Sequence, residues 1–85
     1  MTTAEIIASL KRAITDGNGF TWEKPKPIGN GDVAVYLRNT GFGIIAAPHR
    51  YSGAEYTVVY DDGTEYDYDS TFNNAQDAVM LAESL

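Results

Sequence analysis

The chain has 85 residues, 44% of them hydrophobic, no cysteine and a formal net charge of −6. One thin-cored domain is expected at this length, with too little bulk for a deep ligand cleft of about 300 Å³ or more, which argues against an enzyme acting alone. Without cysteine there are no disulfides, thiol nucleophiles or Cys-ligated zinc sites, and an unstapled domain this small points to the reducing cytoplasm.

The N-terminus, MTTAEIIASLKR, lacks the basic cluster and apolar stretch of a signal peptide. No apolar run approaches the ~20 residues of a membrane span, so no membrane association is expected. Thr2-Thr3-Ala4-Glu5 fits a capping box, with Thr2 as N-cap and Glu5 three residues on. Ile6, Ile7, Leu10, Ala13 and Ile14 then recur at helical spacing, and Lys11 and Arg12 complement the dipole near the C-terminal end. Asp16-Gly17-Asn18-Gly19 should stop this helix, with Gly17 as its left-handed cap.

Pro25 and Pro27 forbid a helix in the next segment, which reads as an extended arm with a short edge strand around 20–22. Gly29-Asn30-Gly31 is a turn signal. Alternation over 32–38 predicts a strand with Val33, Val35 and Leu37 on one face. After Asn39-Thr40-Gly41, the apolar run 42–47 predicts a central strand. Residues 48–53 read as a loop holding the single histidine, His49, and 55–60 as the third strand.

Asp61-Asp62-Gly63 between alternating runs signals a hairpin, for which two registers are open. A two-residue turn pairs Tyr60 with Glu65 and puts the acids on the tyrosine face. A three-residue loop, with Gly63 left-handed, pairs Tyr60 with Thr64. It gathers Tyr56, Val58, Tyr60, Tyr66 and Tyr68 on one face and Glu65, Asp67 and Asp69 on the other. Because a one-residue slip exchanges the faces, burial favours the three-residue loop. Asn73 or Asn74 can cap a last helix with an apolar stripe of Ala75, Ala78, Val79, Ala82 and Leu85, and Met80 on its polar face. The predicted fold is α+β: an N-terminal helix, a three- to four-stranded antiparallel sheet, and a C-terminal helix packed on one face.

Charge is unevenly spread. Residues 1–50 carry six bases and four acids, whereas 51–85 carry eight acids and no base. An acidic half repels phosphate, so no direct nucleic-acid binding is expected, while a basic protein surface would be attracted. Gly63 precedes most of the acids, which is the wrong order for a calcium loop, and strand carboxylates about 6.6–6.8 Å apart are too spread for one ion. No nucleophile elbow accompanies His49, and the short Gly-x-Gly turns lack the rest of a phosphate loop. Neither metal nor cofactor nor catalysis is expected.

The order helix–strands–helix and the tripeptide Pro48-His49-Arg50 resemble double-stranded-RNA-binding domains, but the second helix opens with Asn73-Asn74-Ala75-Gln76-Asp77, without that family's phosphate-gripping lysines. What remains is protein binding. Asp61, Asp62, Glu65, Asp67 and Asp69 would form an acidic ridge, with Tyr51, Trp22 and Met80 as anchors. In size, acidity, lack of cysteine and layout the chain resembles small phage-encoded inhibitors of host defence, of the anti-CRISPR and anti-restriction kind. That resemblance implies a non-enzymatic binder of a basic nucleic-acid-handling partner, sometimes by imitating DNA. The alternative is a self-associating structural or regulatory module, a homodimer through the sheet edge, in which the acids serve solubility and edge protection.

Overall fold

The structure is a computed structural model and describes residues 1–14, 19–49 and 53–85. Within them lie helix α1 (Thr3–Ile14), strands β1 (Lys26–Gly29), β2 (Asp32–Leu37), β3 (Phe42–His49), β4 (Gly53–Tyr60) and β5 (Thr71–Phe72), and helix α2 (Ala75–Ser84). The strands pair in chain order as an antiparallel meander. This is the expected α+β fold, with five strands in place of three to four.

Each helix begins as its sequence dictates. Glu5 N–H donates to the Thr2 hydroxyl (3.2 Å) and Thr2 N–H to the Glu5 carboxylate (3.0 Å), a complete capping box. Asn74, in extended conformation, accepts the Asp77 N–H at 2.9 Å. Leu85 is the exposed C-cap of α2 rather than part of its apolar stripe. The expected stop at Gly17 lies outside the described residues.

Both helices cover one face of the sheet. Ile6 and Leu10 of α1 and Ala75, Ala78, Val79 and Ala82 of α2 bury against Val33, Val35, Ile44, Ala46, Tyr56 and Val58. The register puts those strand residues side by side, Val35 opposite Ile44 and Ile44 opposite Val58. The alanines on α2 let the helix approach closely, and the Tyr56 hydroxyl meets Ser9 of α1 at 2.6 Å.

Three expectations need correction. The arm holds more strand than its prolines suggested: Trp22 bridges Leu37, and β1 pairs Pro27 with Val33. Proline is tolerated there because the strand is an edge and its missing N–H would have faced solvent. His49 ends β3 instead of sitting in a loop. Pro48 and His49 extend past the β2 pairing, which ends at Val33–Ala46, and pair with β4 alone. Finally, the strand after the hairpin does not continue as an alternating run. Tyr60 N–H donates to the Thr64 carbonyl (2.8 Å) and Gly63 is left-handed (φ 88°), as the three-residue loop requires. Val59 bridges Glu65 and Tyr66 N–H reaches the Val58 carbonyl. A continuous strand would then put Tyr68 opposite Tyr56, but Phe72 takes that place. Residues 67–69 are expelled as a short loop.

Candidate functional site: an acidic, aromatic end of the sheet

The expelled loop has a local cause. Asp67 is suited to turns because its carboxylate accepts a nearby amide, here the Tyr68 N–H at 2.7 Å. Ser70 N–H closes the turn onto the Asp67 carbonyl (3.1 Å), and Asp67 N–H donates to the Ser70 hydroxyl (3.2 Å). Like charges at Glu65, Asp67 and Asp69 along one strand face would also repel. The straight acidic ridge expected from the sequence is therefore absent. Glu65 stays on the strand, beside Val59 and away from the helices, while Asp67 and Asp69 stand on the loop with Tyr68 between them. Tyr68 is 84% exposed, not turned inward.

An aromatic cluster sits at the same end of the sheet. The rings of Phe42, Tyr60 and Tyr66 meet pairwise at 5.6–5.8 Å between centroids, with Phe42 and Tyr66 edge-on at 80°. Tyr60 keeps 41% of its surface exposed. Asp61, Asp62, Glu65, Asp67 and Asp69 are all exposed. Among the described residues the one ion pair found is His49–Glu55 (3.4 Å), so no lysine or arginine described here lies within 4 Å of these five carboxylates. The Asp62 carboxyl titrates below the ordinary aspartate range, because the Thr64 hydroxyl and then its amide (2.9 Å) hydrogen-bond the ionised form.

The anchors proposed from sequence separate. Trp22 is half-buried against the core, and its indole N–H donates to Glu83 of α2 at 3.0 Å, so it clamps the arm to the helix layer. Met80 is 61% exposed on the outer face of α2. Tyr51 lies outside the described residues.

The fold also brings in residues the sequence did not mark. Glu23 N–H donates to the Tyr36 carbonyl and Arg38 N–H to the Thr21 carbonyl, folding the arm along β2. Glu23, Tyr36, Arg38, Asn39, Phe42 and Asp61 thereby line an open cavity of about 460 Å³ at this end of the sheet. Nothing in the local pattern of 20–27 announces that return; only its long-range pairing with β2 does. No group of three or more histidines or acids among the described residues is placed to hold a metal ion, and no described helix is long and apolar enough to cross a membrane. Solvated carboxylates at one end of a sheet can attract a cationic surface. In comparisons with known proteins, no family model, no curated protein and no solved structure matches the chain.

Proposed function

We propose that the protein is a non-enzymatic binder, an inhibitor or modulator that sets its acidic hairpin and loop against a basic, nucleic-acid-handling protein. Its resemblance in character to phage-encoded inhibitors of host defence fits that role. The observation that carries the reading is the run of five exposed carboxylates from Asp61 to Asp69, none of them in an ion pair with a described lysine or arginine. A surface of this kind raises the rate and specificity of association with a positive partner. It repels phosphate, so the nucleic acid itself is not the ligand. Because Asp67 and Asp69 leave the strand, the acids lack the even spacing that a strict copy of a phosphate backbone would need.

Edge-to-edge self-association is less well supported. One edge strand, β1, carries Pro27 and an exposed Lys26, and the other, β5, is two residues long. The test is affinity capture from bacterial lysate at low and moderate salt, with Asp67→Asn/Asp69→Asn as the paired bait. Recovery of a basic nucleic-acid-handling protein that elutes as salt rises, and is depleted by the double substitution, supports the reading. Capture untouched by the substitution removes the patch from the interface.

A further inference from the structure

The helices cover one face of the sheet; no described helix or strand lies over the other, where the hairpin turn at Gly63 approaches only the Ile45 side chain. Its centre is apolar. The register sets Ala34, Ile45 and Thr57 in one cross-strand row and Tyr36, Gly43 and Val59 in the next, with Ala47 beyond. Ile45, Tyr36, Ala47 and Thr57 are partly exposed, while Ala34, Gly43 and Val59 are buried between them. The rim is acidic. Glu55 pairs with Ala47 and Glu65 with Val59, Asp32 precedes Val33 on the alternate face, and Glu23 and Asp61 line the cavity that Tyr36 shares. Against these five carboxylates stand Lys26, beside Ala34, Arg38, which lines the same cavity as Glu23 and Asp61, and His49, which is held by Glu55, so the rim stays net acidic.

We propose that this open face docks a basic amphipathic helix of a partner protein, its apolar stripe on β2–β4 and its lysines or arginines on the carboxylate rim. Width favours a helix: β2 and β4 are about 9.6 Å apart at ordinary strand spacing, close to the 10–12 Å diameter of a helix. A third layer of helix on a sheet already covered on one side is a standard packing solution. Charge excludes a second copy of this chain, since two acidic rims would repel, and it excludes an anionic membrane or nucleic acid for the same reason. The rim shares Asp61 and Glu65 with the hairpin patch, but Asp67 and Asp69 are not part of this face, so substituting those two separates the inference from the hairpin reading.

The probe is a synthetic Leu/Lys peptide of about 18 residues, roughly five turns, with leucines at i, i+3, i+4 and i+7. The control has the same composition with its leucines scattered. Binding is followed by fluorescence polarisation and by amide chemical shifts of the labelled protein. The expected result is a preference for the striped peptide and shifts centred on Tyr36, Ile45, Ala47 and Thr57. Ile45→Glu should weaken binding at least about tenfold, although it adds a favourable charge. Asp67→Asn/Asp69→Asn should leave binding within about twofold. Thr57→Glu serves the same purpose if Ile45→Glu does not fold. Equal binding of the scattered peptide, shifts confined to 61–69, or unweakened binding by the folded face variant overturns the proposal.

Discussion

Ser70 and Val58 hold each other through backbone and side chain. Val58 N–H donates to the Ser70 carbonyl at 2.9 Å, and the Ser70 hydroxyl lies 3.2 Å from the Val58 carbonyl. Ser70 is 1% exposed, the one buried polar side chain among the described residues. Its hydroxyl also accepts the Asp67 amide, so a single side chain closes the expelled loop and docks it to β4. Ser70→Ala removes that link and leaves the Asp67 amide short of a partner, at a cost of about 1–2 kcal/mol. A lower urea midpoint at unchanged slope, with faster amide exchange across 67–69, is the expected outcome. A loss below about 0.5 kcal/mol, the range of an indifferent surface change, would mean the loop is held by other means.

The capping box and the hairpin turn make the fold acid-sensitive. The Glu5 carboxyl titrates below its ordinary value of 4.5, because the Thr2 amide and then the Thr2 hydroxyl bond its ionised form. Asp62 likewise falls below 3.8, through Thr64. For a lowered acid, the stabilisation is full above the unfolded value and disappears as pH falls through the folded one. Melting temperature should therefore be insensitive to these two groups at neutral pH and fall below about pH 4.5. Glu5→Gln and Asp62→Asn should each reduce the acid-induced drop. Parallel melting curves for the variants and the parent from pH 7 to pH 3 would show that these bonds do not couple to folding.

How far the sequence foretold this structure depends on the range of the interactions. The two helices were legible because their signals are local: Thr2 with Glu5, Asn74 with Asp77, and apolar residues one turn apart. Strands β2, β3 and β4 were legible from alternation and apolar runs. The hairpin register was readable too, since only one choice turned Tyr60 and Tyr66 toward the helices. Strand β1 and the end of β3 were missed because Pro27 and Pro48 look like strand breakers until the edge or the shortened partner strand is known. The slip that ejects Tyr68 was missed for a similar reason. Alternation in Glu65-Tyr66-Asp67-Tyr68-Asp69 points to a strand, but buried Ser70 and the turn chemistry of Asp67 prevail. The candidate site suffered most, because the carboxylates are plain in the sequence while their arrangement depended on that slip.

Trp22 offers a way to separate fold from interface. It was a candidate anchor, yet its ring packs on the core and its N–H is committed to Glu83. Trp22→Phe should cost about 1–2 kcal/mol in denaturant unfolding, through the lost bond and lost area. Because the chain has one tryptophan, unfolding of this variant is followed by far-UV circular dichroism. Affinity for a captured partner should be unchanged once the variant is folded. A large loss of affinity with stability intact would return Trp22 to the interface.

Tyr36 lies against Gly43 on the open face, where a side chain would not fit. A Cβ on Gly43 would lie 2.6 Å from the Val35 carbonyl oxygen and 2.9 Å from Tyr36 Cε1, closer than real side chains come. The two residues are paired across β2 and β3, and the glycine leaves room for the ring to lie over the strand. Gly43→Ala should destabilise by about 1–3 kcal/mol, as overpacking does when backbone and a ring must both move. Tyr36→Ala frees the ring side of the clash but not the carbonyl side. The double variant should therefore be more stable than the sum of the two losses predicts, with a coupling of at least about 0.5 kcal/mol. Denaturant unfolding of the four proteins measures this directly. Strict additivity would mean that the backbone carbonyl alone requires glycine at position 43, and that Tyr36 is free to move aside when a partner occupies the face.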